Sequence, residues 1–297
     1  MRIIIALIGL ALLWFSCKKA NLDSFAFPSK KIDHYEFEKY ALGELGDLPK
    51  EYDIDPAQRS LVTMSSTDAE SGETYTLYGV YIGDVSTIAT DTVILYLHGQ
   101  GKHMDFYWTR AALLAHLGGK YHYGVLMVDY RGYGMSEGEA SEQGLYEDAD
   151  AAIDWLLTRG VQNERLIVYG YSLGAIPTID RLAYREQFSP TRMILESPLA
   201  SVENLVHTST LINVNPDYLT DLKFDNAEKI KEVDCPLLWL HGKEDTYIAI
   251  ENGELIYANH PGPRKEAIRV AQCDHDEIPL KMGLENYLKQ VLDFIRK

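Results

Sequence analysis

The sequence predicts an α/β fold in which a mostly parallel sheet of the eight-stranded type is flanked by helices. Short apolar segments of about five residues alternate with helical segments along most of the chain. One of them, residues 165–169, runs directly into Gly170-Tyr-Ser172-Leu-Gly174. The chain has 297 residues, 46% of them hydrophobic, and can therefore bury one large core.

The elements follow in order along the chain. Residues 61–64 and 75–82, separated by Ser71-Gly72, predict an antiparallel pair at the sheet edge. The later predicted strands are residues 92–97, 124–129, 165–169, 192–196, 236–241 and 266–271, and the predicted helices are residues 105–117, 142–157, 173–185, 250–257 and 278–296. Such alternation indicates a parallel sheet that is buried on both faces, with its ligand site at the carboxyl ends of the strands.

The N-terminus has a different pattern. The apolar run of residues 3–15 is too short to span a bilayer as a helix but has the length of a signal-peptide core. Ser16-Cys17 follows and resembles a bacterial lipoprotein signal. We expect a signal peptide at residues 1–16, a lipid tether and N-terminal extension at 17–60, and the main domain at 61–297. Lipidated Cys17 would hold the protein on a membrane surface of the cell envelope; ordinary secretion and an uncleaved anchor stay open.

Composition excludes some partners. The chain has 28 Lys and Arg against 44 Asp and Glu, a formal net charge of −16, which argues against nucleic acid because phosphate binding needs clustered basic residues. No His or Cys cluster has metal-ligand spacing, so we expect neither metal nor cofactor. Cys235 and Cys273 fall at opposite edges of the predicted sheet and should stay unpaired, largely buried thiols.

Ser172 is the candidate nucleophile, because a strand, a sharp turn and a helix meet there and lift the hydroxyl clear of the sheet. Glycines two residues either side are expected because a β-carbon would collide with the neighbouring strand or helix. A second match, Gly134-Met-Ser136-Glu-Gly138, continues into a polar turn without an apolar helical face. We therefore expect Ser136 to lie in a loop.

A serine nucleophile needs a base that a carboxylate orients. His275 is the candidate base and Asp245 the candidate acid, since each follows a predicted strand after Ser172. Other residues compete for these roles. The competing acids are Glu244, Glu196 and the neighbours of His275, Asp274 and Asp276; His98 and His241, which also end strands, are expected to brace loops.

The negatively charged oxygen of a tetrahedral intermediate needs preorganised N–H donors. One should be the amide of Leu173, directly after the nucleophile. The other is expected from the glycine-rich loop His98-Gly-Gln-Gly101, where the Gln100 amide is the candidate.

Five motifs together resemble the α/β-hydrolase superfamily, and within it the serine aminopeptidase-like and depalmitoylase-like set. They are His98-Gly-Gln-Gly101, Asp129-Tyr-Arg-Gly-Tyr-Gly134, Gly170-Tyr-Ser172-Leu-Gly174, His241-Gly-Lys-Glu-Asp245 and His275. The resemblance covers residues 61–297 and implies the α/β-hydrolase fold, with the order serine, acid, histidine. Ala175 departs from it, because that set usually has a third glycine there. The Asp129 turn is expected to brace the site.

An insertion at about residues 198–234 stands where members of this superfamily place a lid. It predicts either a short cap over an acyl pocket or one helix with a loop. We therefore expect a serine hydrolase that acts on a small-molecule acyl ester or thioester. A peptidase or aminopeptidase-type amidase with the same machinery is the alternative, and a catalytically silent surface-binding protein is a third.

Overall fold

The sheet organises the molecule. The computed structural model describes residues 27–209, 222–262 and 264–297. Its strands form one eight-stranded sheet, as the sequence predicts, in the order β1-β2-β4-β3-β5-β6-β7-β8. The strands are β1 (Arg59–Thr67), β2 (Thr74–Ile82), β3 (Val93–Leu97), β4 (Gly124–Val128), β5 (Leu166–Tyr171), β6 (Arg192–Glu196), β7 (Leu237–Gly242) and β8 (Lys265–Val270).

Strand direction and burial follow the sequence pattern. β2 runs antiparallel to both β1 and β4, and all other neighbours are parallel. Every residue of β3, β4, β5 and β7 is buried, as continuous apolar runs require in a sheet covered on both sides. β1, at the edge, alternates buried and exposed residues near its end.

Helices cover both faces of the sheet. They are α1 (Met104–Leu114), α2 (Glu142–Leu157), α3 (Ala175–Tyr184), α4 (Val202–Ser209), α5 (Asn226–Lys229), α6 (Glu251–Asn259), α7 (Ile278–Met282) and α8 (Leu284–Arg296). α1 and α8 pack into one apolar cluster with Tyr107, Tyr287 and Phe294. α2 and α3 contribute Ile153 and Ile176 to the cluster on the other face.

Three predicted helices have different bounds. The closing helix is divided into α7 and α8 at Gly283, whose φ of +78° no continuous helix can contain. The helix after the nucleophile begins with a single 3-10 turn, Ser172–Gly174, before α3 starts at Ala175. α1 ends at Leu114, three residues before the expected end, and the chain continues through turns.

The described part of the N-terminal extension packs on the sheet domain. It contains three 3-10 turns, Phe37–Lys39, Lys50–Tyr52 and Pro56–Gln58. The ring of Phe37 lies 4.8 Å from that of Trp108 on α1. Residues 1–26, with the expected signal peptide and Cys17, lie outside the described residues. Among those that are described, no helix combines the length and apolar character needed to cross a membrane.

The expected cap is described in part. α4 and α5 belong to it, whereas residues 210–221 between them lie outside the described residues. Leu199 is buried and Leu205 is half-buried against the core. Other apolar residues of this insertion have side chains outside the described part of the structure, namely Val206, Leu211, Ile212, Val214, Tyr218 and Leu219.

Candidate active site

Ser172 lies on a tight turn between β5 and α3. Its φ of +50° is uncommon for a residue that carries a side chain. The flanking glycines permit this turn. A β-carbon on Gly174 would collide with the carbonyl of Leu97 in β3, and one on Gly170 would lie 2.6 Å from the hydroxyl of Thr178 in α3. The collisions expected from the sequence are therefore present on both sides of Ser172.

Three side chains from separate loops meet at the carboxyl ends of the strands. Ser172 Oγ lies 2.9 Å from Nε2 of His275, and Nδ1 of His275 lies 2.7 Å from Oδ2 of Asp245. His275 follows β8 and Asp245 follows β7. The structure thus brings together the candidate nucleophile, base and acid in bonding order.

Asp245 is held as an ionised carboxylate. Its Oδ1 accepts hydrogen bonds from the amides of Tyr247 at 2.9 Å and Ile248 at 2.7 Å. Burial alone would raise the pKa of Asp245, but hydrogen bonds from His241 and His275 outweigh burial and lower it below its usual range. A carboxylate at this position can only accept, so Nδ1 of His275 carries a proton. Nε2 is then left with a lone pair that faces the Ser172 hydroxyl.

The competing acids have other partners. Glu196 is fully buried and forms an ion pair with Arg110, and the hydroxyl of Tyr287 donates to it over 3.1 Å. Glu244 accepts a hydrogen bond from the Cys273 amide at 3.1 Å. Neither carboxylate is hydrogen-bonded to His275.

The neighbours of His275 organise the loop around it. Asp274 accepts hydrogen bonds from the amide of Thr246 at 2.8 Å and from the amide of His275 at 2.9 Å, which ties the β7 and β8 loops together. Asp276 accepts a hydrogen bond from the hydroxyl of Tyr171. Both carboxylates therefore stabilise the loops around the site, and the imidazole of His275 is hydrogen-bonded to Asp245 instead.

Ser136, the second Gly-x-Ser-x-Gly serine, is a bracing residue. Its hydroxyl donates to the carbonyl of Asp129 over 2.7 Å and accepts from the amide of Tyr78 over 2.9 Å. It is buried, and no described histidine is hydrogen-bonded to it. The loop expected from the polar sequence after Ser136 is present.

The candidate oxyanion donors are the amides of Leu173 and Gln100. The Leu173 amide lies in the first helical turn, where N–H groups have no acceptor within the helix. Gln100 lines the same cavity as Ser172. Within the described ranges, no backbone acceptor takes a hydrogen bond from its amide, while its carbonyl accepts from the Tyr107 hydroxyl at 2.6 Å. The sequence did not reveal this tyrosine contact.

These groups open into a cavity of about 550 Å³, a size typical of small-molecule sites. Its lining includes four Phe and Tyr rings and three carboxylates. The lining residues are Gln100, Gly101, Lys102, Phe106, Tyr107, Tyr171, Ser172, Thr246, Tyr247, Asp274, His275, Asp276 and Glu277. The ring of Tyr247 lies edge-on to that of His275, with centroids 5.1 Å apart.

The described residues also bear on the expectations for metal binding and for the two cysteines. No group of three or more His, Cys, Asp or Glu side chains within residues 27–209, 222–262 and 264–297 could hold a metal ion. Cys235 and Cys273 are both free thiols. Cys273 is buried as expected, whereas Cys235 is half-buried.

Comparison with known sequences gives related proteins. A family described as serine aminopeptidase, S33, matches residues 89–218, a range that contains Ser172 but neither Asp245 nor His275. The mouse alpha/beta hydrolase domain-containing protein 17C is 35% identical over 207 residues, which are 68% of this chain and 59% of that protein. The Caenorhabditis elegans protein aho-3, with the same domain description, is 32% identical over 203 residues, 68% of this chain and 57% of that protein. The chain spans less than two thirds of the length of these relatives.

Solved structures share the fold at low sequence identity. The esterase Pf2001 of Pyrococcus furiosus matches with a TM-score of 0.64 and 18% identity, and the match covers 94% of this chain and 98% of the esterase chain. The Rhodococcus esterase RhEst1 has a TM-score of 0.57 and 19% identity, and covers 80% and 99%. The acylaminoacyl peptidase of Pyrococcus horikoshii has a TM-score of 0.58 and 19% identity, and covers 80% and 40%.

Proposed function

We propose that the chain, which has the α/β-hydrolase fold, is a serine hydrolase that cleaves acyl esters or thioesters through an acyl-enzyme intermediate. One observation carries the proposal. Ser172, His275 and Asp245 form a continuous hydrogen-bonded row, with distances of 2.9 Å and 2.7 Å, that opens into a cavity large enough for a small acyl group.

The geometry supports a two-step reaction. In acylation, Ser172 Oγ attacks the acyl carbon while Nε2 of His275 takes the hydroxyl proton, and Asp245 stabilises the resulting imidazolium. The amides of Leu173 and Gln100 bind the oxyanion, each contributing about 3 kcal/mol of barrier reduction. His275 then gives its proton to the departing alcohol or thiol, leaving an ester on Ser172. In deacylation, His275 activates a water that attacks this ester and releases the acid.

The cavity supports an acyl substrate of modest size. Phe106, Tyr107, Tyr171 and Tyr247 offer aromatic walls on which an alkyl chain can pack. The cavity volume of about 550 Å³ lies in the lower half of the range found for small-molecule sites, roughly 300–1,000 Å³. We therefore propose that acyl chains of short to medium length are the preferred substrates.

One observation favours a second function, that of an aminopeptidase-type amidase. Asp276 and Glu277 place carboxylates on the wall of the cavity. A free amine of an aminoacyl substrate could pair with such carboxylates, and the family that matches residues 89–218 is described as serine aminopeptidase, S33. Asp276 already accepts a hydrogen bond from Tyr171, which leaves it less available to a substrate amine.

We further propose that the mature protein is a lipoprotein of the cell envelope, attached to a membrane surface through Cys17. The apolar run of residues 3–15 followed by Ser16-Cys17 supports this proposal. Labelled fatty acid should be incorporated into the full chain expressed in bacteria, and Cys17→Ala should abolish the incorporation. Incorporation that survives in Cys17→Ala would contradict lipidation at this residue.

The function is tested by comparing kcat/KM for substrates that share an acyl chain but differ in their leaving group. p-Nitrophenyl esters, acyl thioesters and aminoacyl p-nitroanilides should be assayed in parallel, with Ser172→Ala as control. The proposal expects the highest kcat/KM for esters or thioesters of short to medium acyl length. The highest kcat/KM on the anilides would favour the amidase, and no turnover with no covalent labelling of Ser172 would favour a silent binding protein.

A further inference from the structure

We propose that Tyr35, in the N-terminal extension, is a positioning residue for the oxyanion hole and acts through Asp129 and His98 on the Gly99–Gln100 peptide. The inference rests on the proposed function, in which the Gln100 amide binds the oxyanion. A chain of hydrogen bonds links Tyr35 to this peptide. The segment that contains Tyr35 lies far in sequence from the residues that do the chemistry.

The first link fixes the peptide itself. Nδ1 of His98 lies 2.8 Å from the carbonyl oxygen of Gly99. Because a carbonyl only accepts, Nδ1 carries a proton and donates it; the Asp129 carboxylate beside Nε2 also only accepts, so both ring nitrogens are donors. The Gly99 carbonyl and the Gln100 N–H belong to one planar peptide group and point in opposite directions, since the chain has no cis peptide among its described residues. Orienting the carbonyl therefore orients the amide that faces the oxyanion.

The second link is the buried contact between His98 and Asp129. Nε2 of His98 lies 3.0 Å from Oδ1 of Asp129, and both side chains are fully buried. The same carboxylate oxygen accepts from the amide of Met104 at 2.9 Å. At low local dielectric such hydrogen bonds are strong, and an unpaired partner is costly. Asp129 thus holds the imidazole of His98 in one orientation.

The third link comes from the extension. The hydroxyl of Tyr35 donates to Oδ2 of Asp129 over 2.6 Å and accepts from the amide of Met135 over 3.1 Å. Burial raises the pKa of Tyr35, and the charge of Asp129 raises it further, so the hydroxyl keeps its proton and remains a donor. Both oxygens of Asp129 are therefore occupied, one by the imidazole and the other by the extension.

The extension is anchored where this contact forms. Lys31 and Gly134 form a β-bridge, in which the Ile32 amide donates to the Gly134 carbonyl at 3.1 Å and the Gly134 amide donates to the Lys30 carbonyl at 3.0 Å. Gly134 also leaves the space that Tyr35 needs. A β-carbon at Gly134 would collide with the Asp129 carboxylate and lie 2.6 Å from the Tyr35 hydroxyl.

The test removes only the Tyr35 hydroxyl. Tyr35→Phe keeps the ring, which stacks on Phe37 with centroids 5.4 Å apart. Tyr52→Phe is the matched control, because Tyr52 lies in the same extension and its ring packs on His116 instead. The concentration of active sites should be measured by fluorophosphonate titration, so that kcat is calculated per reactive Ser172.

We expect Tyr35→Phe to lower kcat per titrated site about tenfold, a fraction of what one oxyanion donor contributes, with KM nearly unchanged. The affinity for an alkyl boronic acid, which forms a tetrahedral adduct on serine, should fall by a similar factor. Tyr52→Phe should leave both quantities unchanged. A residue with a merely structural role would lower the titrated fraction or Tm and leave kcat per site as in the wild type.

A double-mutant cycle tests the route. If Tyr35 acts through Asp129, Tyr35→Phe should add little to the loss already caused by Asp129→Asn. Losses that multiply independently, or an unchanged kcat per site in Tyr35→Phe, would overturn the inference and leave the proposed function intact. Turnover that survives in Ser172→Ala would overturn both.

Discussion

Nε2 of His241 lies 3.2 Å from Oδ2 of Asp245, and both side chains are fully buried. The indole of Trp239 donates to Nδ1 of His241 over 3.3 Å, so Nδ1 accepts and Nε2 carries the proton. The same Nε2 lies 2.9 Å from the Ile248 carbonyl. The carboxylate oxygen of Asp245 that accepts from His275 is therefore also in contact with a second, neutral histidine.

Replacing Asp245 should impair catalysis by Ser172 and His275 while the protein stays folded. Asp245→Asn presents an amide that can donate to His275 and favour the wrong tautomer, so we expect kcat to fall about 10³- to 10⁴-fold. Steady-state kinetics on a p-nitrophenyl ester would measure the loss. Glu244→Gln, one residue earlier, is the matched control and should retain activity within a few-fold. An equal loss in both variants would contradict the assignment of the acid.

The same carboxylate gives a pH-dependent contribution to stability. The pKa of Asp245 is lowered in the folded protein, so the unfolded chain binds its proton more readily at low pH. The stabilisation is present above the unfolded pKa of about 3.9 and is lost as pH falls through the folded pKa. Denaturant unfolding of wild type and Asp245→Asn should show a difference in free energy that shrinks below about pH 4. A difference that grows on acidification would contradict this.

The sequence predicted the sheet and the convergence of Ser172, Asp245 and His275, because both depend on local patterns. Buried strands such as β3 and β5 are uninterrupted apolar runs, and the turn at Ser172 needs its two glycines. Asp245 and His275 each follow a strand, and parallel strands bring such loops to one edge of the sheet. These inferences need no knowledge of how distant side chains pack.

The glycine at position 174 gives a test of this packing. Its φ of −64° is ordinary, so alanine would cause no backbone strain, but the new β-carbon would collide with the Leu97 carbonyl. We expect Gly174→Ala to lower the free energy of unfolding by about 3 kcal/mol or more and to reduce activity. Chemical denaturation measures the first quantity. Gly46→Ala, at a glycine with φ of +65° and open space around it, should cost only about 1 kcal/mol.

The thiols should be chemically silent in the folded protein. Burial raises the pKa of both Cys235 and Cys273 to about 12. At pH 8 only about one thiol in ten thousand is then a thiolate, the reactive form. Iodoacetamide should leave activity unchanged and modify peptides containing these cysteines only after unfolding. Inactivation that parallels alkylation of Cys273 would show that a thiol takes part in the chemistry.

Long-range contacts between side chains could not be predicted from the sequence. Tyr35 is 94 residues from Asp129, and nothing in the local pattern around residues 30–40 indicates this contact. Glu196 ends a strand and Asp245 follows one, but the carboxylate of Glu196 is paired with the buried Arg110 and with Tyr287 instead of His275. The break at Gly283, by contrast, has a local signal, because a glycine inside a helical pattern can end the helix.

The most direct test is where a covalent inhibitor attaches. A fluorophosphonate probe should modify the wild-type protein once, on the peptide that contains Ser172, and abolish ester turnover in proportion to labelling. Ser172→Ala should fold with an unchanged Tm within a few degrees, take no label, and lose ester turnover by about 10³-fold or more. Labelling at another serine, such as Ser136, or full turnover by Ser172→Ala would contradict Ser172 as the nucleophile.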